Sequence, residues 1–223
     1  MIMLRHALKT LVAIMFVVMT PAVQAADPVE RSPEEIAQAS AFIQDLADRT
    51  IELLGNPEIA EDLRNEEFRS MLEASFDGDY IAKVVIGRYW RKMNAVQRDE
   101  YMGLFSNFMF DTLMSRLSAF NNEYLEVIGH SVTKRGDMFI KTQIVMTSEN
   151  FYVDWRVRPQ GEELTIIDVL IEGVSMVKTN HEEVTSIAFR ERVEGVLSSL
   201  REHQEEETLA VPLMGEQPIN TLN

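Results

Sequence analysis

The sequence predicts an α+β fold in which helices pack on a four-stranded antiparallel sheet. Apolar residues recur at helical spacing through the first half of the chain, and they alternate with polar residues over positions 124–171. Short polar turns separate the alternating segments, which is typical of strands joined as a meander. Helical spacing resumes at His181. Helices, then a sheet, then a helix is the order of an α+β domain.

Polar N-cap residues mark the starts of four predicted helices. Ser32 precedes Pro33, and Glu35 follows at the third position, so a capping box begins the first helix. Gly55 ends that helix. The four helices are predicted to cover residues 33–55, 66–76, 80–86 and 95–120, with Ser32, Asn65, the segment 77–79 and Asn94 as caps and a shorter element beginning at Asn56.

The alternating region predicts four strands, at residues 124–132, 137–147, 151–158 and 164–171. A last helix is predicted from His181 to His203, with an interruption near Gly195 because glycine weakens a helix. Acidic residues, two prolines and a glycine follow, so residues 204–223 are expected to form a flexible acidic tail. A single domain is therefore expected over residues 26–203.

The first 25 residues are expected to be a cleaved signal peptide. Arg5 and Lys9 precede an uncharged apolar run, and Val23 and Ala25 are the small residues that a signal peptidase accepts. The run is short for a membrane span. The chain has no cysteine, which a lipid-anchored lipoprotein, a disulfide or a thiolate metal site would need. We therefore expect a free periplasmic protein.

The composition is acidic, with 36 Asp and Glu against 21 Lys and Arg. Nucleic acid is not expected as a partner, because it is bound through clustered basic residues. Resting on anionic lipid headgroups is disfavoured for the same reason. Arg88, Arg91 and Lys92 share one predicted helical face and form a local exception. Two interpretations stay open for them: contact with a lipid phosphate or an acidic partner, and pairing with neighbouring acids.

Candidate catalytic and metal-binding patterns are weak. His130, His181 and His203 have none of the spacings that place two ligands on one helical face. The segment around Ser175 lacks the second glycine of a nucleophile elbow. Asp154 and Asp168 lie on predicted strands and could form a carboxylate pair. Solvated positions on the polar face of the sheet are the better interpretation for them. Neither enzymatic activity nor a metal or cofactor is expected.

The longest predicted helix, residues 95–120, is apolar over much of its circumference, whereas a surface helix shows one apolar stripe. One interpretation is a central helix packed on two sides. The other is a helix with protein on one side and a ligand cavity on the other. The predicted sheet offers a matching apolar face that includes Val153, Trp155 and Val157. The pattern leaves both a closed core and a pocket open.

From about residue 68 to residue 200 the chain resembles the MlaC or toluene-tolerance family of periplasmic phospholipid carriers. Three blocks carry this resemblance: residues 87–93 followed by Gln97, Tyr101, Phe105 and Leu113; the four predicted strands; and residues 168–176 leading to Val184 and residues 195–200. The chain departs from the family at Asn180, His181 and Val184, where an aromatic residue, an arginine and a phenylalanine are usual. A related branch of the family is associated with hopanoid synthesis.

The resemblance implies an NTF2-like sheet and a helical layer that enclose an apolar cavity for acyl chains. It also implies that the protein shuttles phospholipid between an outer-membrane lipoprotein complex and an inner-membrane ABC transporter with its own lipid-binding domain. This shuttling would maintain outer-membrane lipid asymmetry. A carrier of hopanoid or another apolar lipid is the main alternative; a closed-core interaction protein and an NTF2-like enzyme are others. The expected lipid-binding residues are Phe105, Phe108, Met109 and Leu113 of the long helix, Trp155, Val157, Ile167, Val169 and Ile171 of the sheet, and Val174 and Met176 near the mouth.

Overall fold

The computed structural model describes residues 29–117, 124–145 and 150–210, and these residues adopt the predicted α+β fold. The predicted signal peptide lies outside the described residues. No described helix has the length and apolar character needed to cross a membrane. The elements are α1 Pro33–Gly55, α2 Glu61–Ser75, α3 Gly78–Ile86, a 3₁₀ segment Gly87–Lys92, α4 Ala95–Leu117, β1 Tyr124–Val132, β2 Met138–Val145, β3 Phe151–Gln160, β4 Glu163–Ile171, β5 Val174–Ser175 and α5 Met176–Ala210.

The predicted N-caps of α1, α3 and α4 are confirmed. In α1 the Glu35 N–H donates to the Ser32 hydroxyl at 3.2 Å, and the Glu35 carboxylate accepts the Ser32 N–H at 2.8 Å. Asp77 accepts a backbone N–H of the first turn of α3 at 3.0 Å. Asn94 and Gln97 form a reciprocal pair like that of α1. These local hydrogen bonds satisfy N–H groups that have no partner within the helix.

Helices α2 and α5 differ most from the predicted boundaries. Helix α2 begins at Glu61, before the predicted Asn65 cap, and no side chain caps it. Glu61 and Asp62 instead place negative charge at the positive end of the helix dipole, which stabilises this start. Helix α5 begins at Met176, because the Ser175 hydroxyl accepts the Lys178 N–H at 3.0 Å. It continues through residue 210, so the first part of the predicted tail is helical. The remainder of the tail lies outside the described residues.

The sheet has five strands rather than four, because β5 pairs with the end of β4. It is antiparallel throughout, and its strand order follows the chain. Two bulges interrupt its register, one in β1 at Ile128 and one in β4 at Ile167. The bulge in β4 shifts every earlier residue of that strand to the other face. Thr165, which the sequence places on the same face as Val169, is paired with Arg158 instead.

One face of the sheet packs against α1. Ile140, Val157 and Ile166 are fully buried in this core together with Ala39 and Ile43 of the helix. The opposite face carries charged residues. The sheet therefore has one apolar and one polar side, as the alternation predicts.

The polar face is organised by the buried carboxylate of Asp137. Arg156 donates to this carboxylate at 2.6 and 3.1 Å, and Arg158 at 2.8 and 3.2 Å. Burial alone would raise the pKa of Asp137, but the hydrogen bonds and positive charges of the two guanidinium groups outweigh it and hold the pKa below its usual value. The Arg158 guanidinium also lies 4.5 Å from the centre of the Tyr80 ring, which joins the sheet to α3.

A second core lies among α3, α4 and α5. Tyr101 is fully buried there, stacks on Phe105 with ring centres 5.6 Å apart, and donates its hydroxyl to the Ala82 carbonyl oxygen at 3.0 Å. Burial raises the pKa of the Tyr101 phenol. Phe76 packs against both cores. It therefore lies at the junction of the helical part and the sheet.

Helix α5 is kinked at Arg192, whose backbone angles of φ 64° and ψ −164° are far from helical. The predicted interruption near Gly195 therefore lies three residues earlier. At this kink a side chain on residue 195 would collide with the β-carbon of Glu191. Glycine is required at position 195 by this close approach.

Gly195→Ala is expected to lower the free energy of unfolding by about 1–2 kcal/mol, because the new methyl group must displace backbone-linked atoms. Gly103→Ala in α4 is the matched control, since a β-carbon there meets no atom within 4 Å. The control should leave stability unchanged or raise it by about 0.4–1 kcal/mol. Urea denaturation followed by circular dichroism measures both, and equal midpoints for the two variants would contradict the close approach.

Candidate functional site

A cavity of about 640 Å³ lies among α2, α3 and α4, and the turn between β3 and β4 contributes one side of it. The most buried lining residues are Phe105, Ile81 and Ala82, at 3%, 2% and 1% exposure. Half-buried apolar side chains form a further part of its wall: Leu72 and Phe76 at the α2 end, and Met102, Met109, Phe110 and Leu113 of α4. Its volume falls within the usual range of small-molecule sites, and its lining is suited to an apolar ligand.

Helix α4 presents two different faces. The residues that line the cavity, Met102, Phe105, Met109 and Leu113, follow one another at intervals of three or four, so they share one face. Phe108 does not line the cavity; its ring contacts that of Phe105, with centres 6.1 Å apart, and that of His203 of α5, with centres 5.2 Å apart. The broad apolar surface of the long helix is thereby divided between a protein core and a cavity.

Charged residues also line the cavity, and most of them are acidic. The carboxylates belong to Glu73, Asp77, Asp79 and Glu163, and the single guanidinium belongs to Arg69. Asp77 caps α3, and Asp79 pairs with Lys83 at 2.8 Å. Glu73 and Glu163 are exposed, and neither forms an ion pair within the described part of the chain.

Arg69 is held without a carboxylate partner among the described residues. Its guanidinium lies 3.9 Å from the centre of the Phe110 ring and donates to the Asn107 side-chain oxygen at 3.2 Å. Thr165 lines the same cavity, and its hydroxyl is buried with no hydrogen-bond partner among the residues that the structure describes. A buried polar group without a partner is uncommon in folded proteins.

A second, more polar cleft of about 830 Å³ adjoins the cavity. It lies between α1, the end of α2 and the same β3–β4 turn, and both spaces border Ala74 and Glu163. Phe42, Pro159 and Leu164 give it a partly apolar wall. The two spaces together exceed the range typical of a drug-sized ligand.

Three of the eleven predicted lipid-binding residues, Phe105, Met109 and Leu113, line the cavity. The predicted sheet residues lie elsewhere. Val157, Trp155 and Val169 belong to the core against α1. Ile167 is buried at the bulge, and Ile171 is half-buried opposite Val153. Val174 is exposed, and Met176 begins α5. Lipid contact at the eleven positions remains a prediction.

The lining residues that the sequence did not predict come from the end of α2, from α3, from α4 and from the strands at the β3–β4 turn; they include Leu72, Phe76, Ile81, Ala82, Met102, Phe110 and Thr165. Leu72 and Phe76 follow the buried Phe68 at intervals of four, a spacing that indicates one buried stripe at α2. That signal was visible in the sequence, but it does not say which space the stripe faces. Thr165 was assigned to the apolar side of the sheet, and the bulge in β4 moves it to the other side.

Ser175 and Asp168 have structural roles. The Ser175 hydroxyl donates to Asp168 at 2.6 Å, and Asp168 accepts the Val177 N–H at 3.1 Å. Together they fix the start of α5. His181 is engaged with backbone carbonyl oxygens of α3 at 2.9 and 3.0 Å. Within the described residues no cluster of three or more His, Asp and Glu could hold a metal ion.

The basic residues of the 3₁₀ segment lie away from the cavity. Arg88 and Lys92 lie over the Tyr89 ring, at 5.2 and 4.7 Å from its centre. Neither they nor Arg91 form an ion pair with an acid among the described residues. The described residues therefore do not support the interpretation in which Arg88, Arg91 and Lys92 pair with neighbouring acids.

Comparison with known proteins gives a family and a fold. The family model described as "MlaC protein" matches residues 44–202. A phospholipid-binding protein from Ralstonia solanacearum, solved in complex with a phospholipid, superposes with a TM-score of 0.65 at 17% sequence identity and covers 76% of this chain and 98% of its own. At that identity the likeness shows the fold. No curated protein matches the chain.

Proposed function

The chain belongs to the MlaC protein family, and on that basis we propose that it binds phospholipid and carries it through the periplasm. The observation that supports this function is the apolar cavity among α2, α3 and α4, with its buried floor of Ile81, Ala82 and Phe105. The fold neighbour from Ralstonia solanacearum, which holds a phospholipid, adds support.

A lipid carrier must keep acyl chains out of water. Each buried CH₂ group is worth about 0.8 kcal/mol, so exposing two chains of about fifteen carbons would cost roughly 25 kcal/mol. We propose that the acyl chains lie along Met102, Met109 and Leu113 in the cavity. The adjoining cleft at Ala74 supplies further room, and the headgroup stays near the charged lining residues.

The polar groups of the cavity favour phospholipid over hopanoid as the cargo. Arg69 has no carboxylate partner within the described residues. A phosphate group offers its guanidinium both hydrogen-bond acceptors and a counter-charge. The ring system of a hopanoid offers no counter-charge.

We further propose that the protein delivers its lipid without chemical change. In this scheme it moves phospholipid between an outer-membrane lipoprotein complex and an inner-membrane ABC transporter that has its own lipid-binding domain, and so maintains outer-membrane lipid asymmetry. The use of Ser175 and Asp168 as structural groups supports a carrier over an enzyme. Arg88, Arg91 and Lys92 are candidates for contact with an acidic partner.

Native mass spectrometry of the protein isolated from the periplasm tests the cargo. We expect the mature protein, cleaved after Ala25, to carry one phospholipid with mixed chain lengths, which lipid extraction and fragmentation would identify. Detection of a hopanoid would replace the cargo in this proposal. A bare protein mass that persists under gentle ionisation would contradict lipid carriage.

A further inference from the structure

The residues that line the cavity suggest a preference among phospholipids. We propose that Glu73 and Glu163 select phospholipids whose headgroup carries a cationic nitrogen over those whose headgroup is anionic overall. This inference rests on the proposed function, because it concerns the same cavity and its cargo.

The charges at the cavity are strongly unequal. Four carboxylates and one guanidinium line it. Asp79 is neutralised in part by Lys83, and Asp77 is committed to the start of α3. Glu73 and Glu163 are exposed and are without ion pairs in the described part of the chain, so they are free to meet a ligand cation.

The polar donors of the cavity fit the phosphate that all phospholipids share. The Arg69 guanidinium is oriented by Phe110 and Asn107 rather than by a carboxylate. Guanidinium groups bind phosphate oxygens through paired hydrogen bonds. Arg69 therefore binds the part of the headgroup that does not differ between lipids.

The part of the headgroup beyond the phosphate then decides the preference. An ethanolamine or choline group brings a positive charge to the free carboxylates. A glycerol headgroup brings none, so its phosphate adds a negative charge to a site that already has an excess. Exposed ion pairs are weak, so we expect a preference of about three- to tenfold.

Competition between lipids in defined vesicles tests this inference. The purified protein is incubated with vesicles of equal phosphatidylethanolamine, phosphatidylcholine and phosphatidylglycerol content and identical acyl chains, and the bound lipids are quantified by mass spectrometry. We expect the two zwitterionic lipids each to be enriched about three- to tenfold over phosphatidylglycerol. Added salt should reduce the enrichment, because the carboxylates are exposed.

The double variant Glu73→Gln, Glu163→Gln should bind the three lipids in equal proportions. The control Glu52→Gln, Glu126→Gln removes the same charge at exposed positions outside the cavity lining and should keep the preference. Equal binding of the three lipids by wild type, or an unchanged preference in the cavity variant, would refute the inference alone. Absence of any bound lipid would refute the proposed function as well.

Discussion

Leu113→Arg is expected to remove lipid from the protein while leaving it folded. Leu113 is half-buried on the cavity face of α4, so a charged side chain there would enter the space that acyl chains need. When lipid is bound, the guanidinium would be buried among acyl chains without a partner, which costs several kcal/mol. When the cavity is empty, the guanidinium stays hydrated, so the protein still folds. We expect lipid occupancy, measured by native mass spectrometry, to fall at least about tenfold.

A matched control lies on the same helix. Val96 is 74% exposed and does not line the cavity, so Val96→Arg makes the same type of change outside it. This variant should retain wild-type occupancy, and both variants should keep the circular dichroism spectrum of the wild type. Full lipid occupancy in folded Leu113→Arg would show that acyl chains lie elsewhere.

Asp137→Asn should produce a large loss of stability. The Asp137 side chain is 4% exposed and accepts hydrogen bonds from both Arg156 and Arg158. Its neutralisation leaves two partly buried guanidinium groups without their counter-charge. Removal of one partner from a buried charge cluster costs about 3–5 kcal/mol, and the partial exposure of the arginines places this case near about 3 kcal/mol.

Wild type and Asp137→Asn should also differ in how the free energy of unfolding depends on pH. The pKa of Asp137 is lower in the folded protein than in the unfolded chain, so its stabilising contribution is fully present above the unfolded value of about 3.9. The contribution is lost as the pH falls through the folded pKa. Urea denaturation should therefore show a larger difference between wild type and Asp137→Asn at pH 7 than at pH 3.

Asp154→Asn is the control for this experiment. Asp154 lies on the polar side of β3 and has no ion pair or hydrogen bond to its side chain among the described residues. Its substitution should change stability by no more than about 0.5 kcal/mol. A similar loss in both variants would mean that the two arginines are not held by Asp137 in particular.

The elements that the sequence predicted well are those fixed by local interactions. Ser32, Asp77 and Asn94 begin helices through hydrogen bonds to residues three positions away, and such bonds depend on neighbouring sequence alone. The strand meander was visible because alternation and short turns are also local. The bulge at Ile167 was not predictable in this way, because it depends on the register between β4 and β3.

The candidate site was predicted in part for a related reason. Helical periodicity groups Phe105 with Phe108 in one direction of α4 and Met109 with Leu113 in another, and all four are predicted to bind lipid. Periodicity does not state which neighbour each direction meets, and Phe108 contacts His203 of α5 rather than lining the cavity. The cavity was expected against the sheet. The described cavity is instead bounded mainly by α2, α3 and α4.

The bulge at Ile128 has a consequence for how the molecules behave towards one another. β1 is an edge strand, and its outer backbone groups have no partner strand in the described part of the chain. Such an edge is a template on which a strand of another molecule can add, which leads to aggregation. The extra residue between Val127 and Gly129 breaks the backbone spacing in the middle of the strand. The other edge, β5, is two residues long. Both features thus disfavour intermolecular strand pairing at these edges.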